Sequence, residues 1–358
     1  MSYNFISRLH LIFRSLRHKR DRKILYRHLR RSWLFFITPF SQSLKLRGGG
    51  RCPYLNSVDR NKRILEIGPL NRPLIPRENG NKNVFYADMR STTDVKDFYN
   101  NDPNVDCSLI VDIDFVVTDS YQKSFIGVEK FDYIIASHVI EHIPQLLRFF
   151  RDIAEILNHA GKICLTIPDG RYCFDHYRYP TSFAECYDLY TRGVNNNPMR
   201  FLDGALSYTK NDAAFWWSNR SDYLNLPTDI DAGYAAVEQY RAALTGKYVD
   251  AHFSVFTPES FLLLLYNMTK LSLFPFRLVE FFPTRPNTFE FDVVLELSKD
   301  LLQKKSSIKQ EILDNLLSQL SQIAINEEHE RFVRRESGYK FNLTVGEIRE
   351  FEILTDAR

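Results

Sequence analysis

Through the middle of the chain, apolar residues fall in short blocks bounded by turn formers. Ile64 to Ile67, with Glu66 inside it, and Val84 to Ala87 are each the length of a buried parallel strand. Further strands are predicted at Cys107 to Ile113, Phe131 to Ser137 and Lys162 to Ile167. Between the last two the period changes. Leu147, Phe150, Ile153, Ala154 and Leu157 share one face of a helix over 146–157, which Ala160-Gly161 ends. Thr257-Pro258-Glu259 carries the signature of a helix start, with Thr as N-cap and Pro in the first turn. Phe276 to Phe282 and Phe289 to Leu297 then read as two strands joined by a Pro-containing turn. This alternation predicts an α/β fold: a doubly wound, mostly parallel sheet with a terminal antiparallel hairpin.

Three stretches break the alternation. Residues 171–250 are aromatic and polar, with Tyr172, Phe174, Tyr177, Phe215, Trp216 and Trp217 among them. An insertion of about 176–250 after the carboxyl end of a strand would cover the ligand crevice as a lid, or form a helical layer that only packs. Residues 299–325 carry a helical stripe of Leu302, Ile308, Ile312, Leu316, Leu320 and Ile323, which suits packing or self-association. Residues 1–51 hold thirteen Lys/Arg and one acid, Asp21, interspersed with apolar positions such as Ile6, Leu9, Phe13 and Leu16. They suit an interfacial helix on an anionic membrane, a helix docked on the domain, or a solvated arm. The expected division is therefore a basic arm (1–51), a catalytic-type domain (52–298) and a helical C-terminal extension (299–358).

Composition narrows the classes. With 358 residues, 44% of them apolar, the chain can bury a large core, and a net charge of only +3 argues against a nucleic-acid binder. No apolar run approaches the ~20 residues of a spanning helix, and the N-terminus lacks a signal-peptide core. The five cysteines form no C-x-x-C pair, so free thiols in a reducing cytoplasm are expected, with the inner membrane face as the alternative location.

The chemistry concentrates in residues 63–88. Gly68 directly follows the first strand, and Asp88 closes the second about 20 residues later, where nucleotide-binding folds place a carboxylate for ribose hydroxyls. The loop between them is a poor phosphate cradle: Leu70 and Pro73 stand where G-x-G-x-x-G needs glycine. A nucleoside ligand without phosphates, such as S-adenosyl-L-methionine (SAM), suits it better. A second candidate is H-V-I-E-H, residues 138–142, directly after a strand. Its spacing matches an inverted zinc-peptidase motif. The histidines here follow a strand, however, and no distant third ligand stands out, so no metal is expected.

Together these segments resemble a class I SAM-dependent methyltransferase. The resemblance rests on I-L-E-I-G (64–68), V-F-Y-A-D (84–88), V-D-I-D (111–114), F-D-Y-I-I-A-S-H-V-I-E-H-I (131–143), G-K-I-C-L-T-I-P-D (161–169) and the terminal hairpin. It is especially similar to bacterial members with E-I-G-P in the first loop, and V-D-A-H-F-S-V-F-T-P (249–258) is similar to them as well. The resemblance implies SAM as cofactor. Glu66 and Gly68 would line its methionyl part, Asp88 the ribose, and Met89 the adenine. Asp112 and the Ile113 amide would read the adenine edge, and Ser137 and His138 would flank the sulfonium. His142 and His252 are the expected acceptor-side catalytic residues, with His142 as base or as a packing residue. The implied reaction is methyl transfer to a small-molecule or glycan acceptor. The family's E-x-G-x-G-x-G keeps only Glu66 and Gly68, so the rival reading is an inactive adenosyl-binding module that serves as an interaction protein. Peripheral membrane contact through residues 1–51 and homo-oligomerisation through the C-terminal helix complete the expectations.

Overall fold

A computed structural model describes residues 52–336 except 78–80, 219–225, 227–228, 246–249 and 305–307; beyond 324 only the course of the last helix is described. The basic arm (1–51), with its expected membrane contact, and residues 337–358 lie outside the described residues.

Seven strands form one sheet: β1 (Ile64–Ile67), β2 (Val84–Asp88), β3 (Phe115–Val116), β4 (Phe131–Ser137), β5 (Leu157–Pro168), β6 (Phe276–Phe282) and β7 (Glu290–Leu297). Their order is β3-β2-β1-β4-β5-β7-β6. The first five run parallel, while β7 lies antiparallel between β5 and β6. The terminal hairpin thus inserts its second strand next to the parallel set, as the sequence predicts. The order reverses between β1 and β4, so the crevice at a topological switch point opens beyond their carboxyl ends.

Side-chain alternation divides the core between the two faces of the sheet. Ile134 and Ala136 of β4, Ile163, Leu165 and Ile167 of β5, and Phe291, Val293 and Leu295 of β7 belong to one apolar cluster. Helix α3 (Leu146–Ile156) and helix α8 (Pro258–Lys270) cover that face, contributing Leu147, Phe150, Ile153, Phe261 and Leu265. Ile64, Ile135, Cys164 and Val294 point the other way, under Tyr54, Ile75 and Tyr86. Thr257 caps α8 by accepting the Ser260 N–H, and Ser260 returns the bond to the Thr257 N–H at 2.8 Å. Among the described residues no helix is long and apolar enough to cross a membrane. All five cysteines are free.

Two strand assignments change. The third strand lies at Phe115–Val116, not Cys107–Ile113; Cys107–Leu109 forms a single 3₁₀ turn. Asp114 explains the shift: its Oδ2 accepts the Tyr86 N–H at 2.7 Å, and its own N–H donates to Tyr86 O, so pairing with β2 begins only there. The fifth strand starts at Leu157 rather than Lys162, because the chain passes from α3 straight into β5 with Ala160 at φ 55°.

Helix α1 (Thr92–Tyr99) and the short α2 (Tyr121–Ser124) follow β2 and β3. The insertion between β5 and α8 is helical: α4 (Phe183–Arg192), α5 (Pro198–Ser207), α6 (Ala213–Ser218) and α7 (Ile230–Leu244). It has a small core of its own around Tyr172, Trp216 and Trp217, with Tyr172 stacked on Trp217 at 4.2 Å. Its two ends are stitched together, since Gly170 N–H donates to Phe256 O and Thr181 N–H to Val255 O, both at 2.8 Å. The last helix, α9 (Lys309–Glu336), packs on α8, and the predicted stripe puts Leu316 and Ile323 into the main core of the same chain.

Candidate active site

Gly68 turns the chain out of β1 at φ 67°, and a Cβ there would stand 3.3 Å from Val139 on the loop after β4. The bare backbone lets these two loops meet at the switch point. Glu66, one of the predicted cofactor residues, is 3% exposed and faces the loop that follows. Its two carboxylate oxygens accept the N–H groups of Leu74 (2.7 Å) and Ile75 (2.9 Å). Burial raises its pKa against those two bonds. Glu66 therefore shapes the first loop. Leu70 sits in that loop at φ 49°.

Asp88 ends β2, where its Oδ1 accepts the Arg90 N–H at 3.0 Å; burial pushes its pKa up. Met89, next to it, is exposed and lines a cleft of about 450 Å³. The cleft runs from Val117, Thr118 and Asp119, after β3, to His142, Ile143 and Gln145, after β4. Asn195 and Asn196 of the insertion close one side, and Gln145 donates to Asn195 at 2.9 Å. Asp112 and Ile113 are absent from the described lining. Asp112 is exposed, and the Ile113 N–H donates to Thr92 Oγ1 at 2.9 Å. Thr118 and Asp119, which follow the displaced third strand, line the cleft instead. The signal was in the sequence: F-V-V-T-D (115–119) repeats the strand-then-acid pattern of V-F-Y-A-D.

Ser137 ends β4, and His138 follows in a left-handed conformation, φ 54°. That turn sends the His138 ring to Glu290 of β7, with Nε2 at 2.7 Å from Oε1, and places Nδ1 3.5 Å from Glu141. Burial alone would lower the His138 pKa, but the two carboxylates outweigh it and hold it at about 9. His138 is thus a cation between two acids. The H-V-I-E-H segment is no regular helix; only Ile140–His142 form a 3₁₀ turn.

The two predicted catalytic histidines do come together. The His142 and His252 rings meet edge to face, 4.8 Å apart. His142 Nδ1 lies 3.1 Å from Asp250, and His252 Nδ1 lies 2.5 Å from Asp175. Asp175 in turn pairs with the buried Arg178 at 2.7 Å. Burial disfavours ionisation of Asp175, but His252 and Arg178 outweigh it and hold its pKa below the usual value. The His142 pKa is raised: burial opposes protonation, and Asp250 and Glu141 favour it. Glu141, which the sequence marks only as a neighbour of the histidines, is the fully buried centre of the group. A second hollow of about 250 Å³ opens beyond, lined by His142, His252, Phe174, Phe201 and Tyr208. His142 belongs to the walls of both hollows.

A parallel sheet with a reversed last strand, an acid closing β2 and an open cleft at the switch point defines an α/β fold of the nucleoside-cofactor-binding class. The chain belongs to the methyltransferase-domain family: the family described as "Methyltransferase domain" matches residues 26–223, more than half its length. Solved structures similar to it include a SAM-dependent methyltransferase from Methanosarcina mazei (14% identity over 69% of this chain and 97% of that one, TM-score 0.33). Two others are the CcbJ methyltransferase from Streptomyces caelestis (11% identity, 68% and 87%, TM-score 0.34) and a SAM-dependent methyltransferase from Clostridium acetobutylicum (10% identity, 66% and 83%, TM-score 0.32). No curated protein matches the chain.

Proposed function

We propose that this methyltransferase uses SAM to methylate a small molecule or glycan held beneath the helical insertion. The observation that carries the reading is the position of His142, in the wall between a cleft reaching Met89 and a hollow roofed by the insertion. In this reading the adenosyl group lies along Asp88, Met89, Thr118 and Asp119. The methyl-bearing sulfur comes past Ser137 toward His142, and the acceptor sits among Phe174, Phe201, Tyr208 and His252. The sulfonium is already activated, so the protein's main contribution is alignment of the acceptor in line with the S–CH₃ bond, together with exclusion of water. A hydroxyl acceptor also needs somewhere to leave its proton, and the residues nearest that step are His142 and His252.

Calorimetric titration of the purified chain with SAM and S-adenosylhomocysteine tests the cofactor. Binding that is lost in Asp88→Ala supports the reading. A folded chain that binds neither compound sinks it. A second reading, an adenosyl-binding module without turnover, is favoured by the first loop, where a leucine holds a positive φ and Glu66 is committed to loop amides. It predicts tight adenosyl binding with no methyl transfer to any acceptor.

A further inference from the structure

We propose that Glu141, His142 and His252 form a binding site for a divalent transition-metal ion between the two hollows. A ligand atom from each lies within 4.8 Å of the others. His142 Nε2 stands 4.0 Å, and His252 Nε2 3.9 Å, from the same Glu141 oxygen. Ligands at ordinary bond lengths from a common ion lie about 3.0–3.5 Å apart, so each histidine must close on Glu141 by roughly half an ångström to one, and the widest separation in the group by up to about 1.8 Å.

Two observations point to an ion rather than to mutual packing. Glu141 is fully buried, yet among the described residues neither carboxylate oxygen accepts a hydrogen bond. An ionised carboxylate in that state is costly unless a cation meets it. The His138 cation stands 3.5 Å from Glu141 Oε1 but is shared with Glu290, which it meets more closely at 2.7 Å, so it offsets only part of that cost. The second observation is the orientation of both histidines. Each turns Nδ1 toward a carboxylate: His252 Nδ1 is hydrogen-bonded to Asp175, while His142 Nδ1 lies 3.1 Å from Asp250 without a hydrogen bond among the described residues, and each leaves Nε2 toward Glu141. For His252 this is the carboxylate–histidine–metal arrangement, in which the outer acid fixes the tautomer and leaves the inner nitrogen's lone pair for the ion, and His142 needs only a small turn of Asp250 to match it. Two imidazoles and one carboxylate favour zinc, manganese or iron over magnesium, which prefers oxygen. Three protein ligands leave open positions, and His142, partly exposed, gives them access to both hollows. A hydroxyl of the acceptor could bind there and lose its proton to solvent before methylation. That role rests on the methyl-transfer reading above; metal binding does not.

The test is metal analysis and calorimetric titration of the purified full chain after chelator dialysis, with Zn²⁺, Mn²⁺ and Mg²⁺ as probes and circular dichroism to verify folding. One Zn²⁺ or Mn²⁺ per chain is expected, with Mg²⁺ much weaker. His142→Ala and His252→Ala should each weaken binding ~100-fold or more, and Asp250→Asn, in the outer layer, at least ~10-fold. If Glu141→Gln does not fold, the partly exposed His142 carries the test. A folded wild-type chain that takes up no ion, or wild-type affinity in both histidine variants, overturns the proposal. SAM titration of the metal-free chain keeps this outcome separate from failure of the cofactor reading.

Discussion

Replacing Asp292 by Asn should change how stability depends on pH. Asp292 lies on β7, 3% exposed, and its Oδ1 accepts the Thr166 hydroxyl at 2.6 Å. Thr166 Oγ1 also meets Tyr54 OH at 2.9 Å and Cys52 Sγ at 3.3 Å. Burial raises the Asp292 pKa from 3.8 to about 7, and the nearby Glu290 carboxylate adds to the rise. In the unfolded chain the group ionises near its ordinary value; in the folded chain it holds its proton about three units longer. The folded state therefore binds the extra proton between about pH 4 and pH 7, and stability must fall as pH rises through that window. At about 1.4 kcal/mol per unit, the loss is about 4 kcal/mol, complete above pH 7. Asn keeps the acceptor for Thr166 and removes the titration. Urea denaturation of both proteins at about pH 4 and about pH 8 measures the difference, and comparison with the variant cancels the other titrating groups. The Asn variant should gain about 4 kcal/mol on the wild type between those two pH values. Stability curves that run parallel would refute the reasoning, because the carboxyl would then titrate alike in the folded and unfolded chain.

Two further substitutions test how the frame is built. Thr257→Ala removes the oxygen that caps α8. It should cost ~1 kcal/mol, seen as a lower urea midpoint with an unchanged slope. Gly170→Ala would set a Cβ 2.5 Å from Val255 Cγ1, where the insertion leaves the sheet. Its expected cost is ~1–3 kcal/mol, with faster limited proteolysis inside the insertion as the accompanying sign.

The frame was readable from period and punctuation. Phe131–Ser137 forms β4 as predicted, Thr257 caps its helix, and the reversed strand takes its predicted place. β3 was misplaced because Cys107–Ile113 offers a longer apolar run than the two residues that pair. What decides the register is a tertiary bond, Asp114 to the Tyr86 amide, and no local period reveals that. Asp112 and Ile113 were read from that misplaced strand, and they lie outside the described lining of the cleft. Glu66 stands where it was expected, but its carboxylate turns inward to Leu74 and Ile75, a choice made by unsatisfied loop amides. His142 and His252 were each read as acceptor-side residues, but their contact was not legible, since more than a hundred residues separate them.

The stitched base of the insertion has a consequence for how such a protein can diversify. The chain leaves the sheet at Gly170 and returns at Phe256 through a doorway one hydrogen bond wide. Everything between is a closed excursion whose ends are fixed whatever its contents. Lengthening or replacing such an excursion costs little in closure entropy, about 0.6 kcal/mol for each doubling of length. The register of β5 and β7 need not respond. Phe174, Phe201 and Tyr208 can thus be exchanged as one cassette, provided Asp175, Asp250 and His252 are kept, while His142, Asp88 and the sheet beneath stay in place.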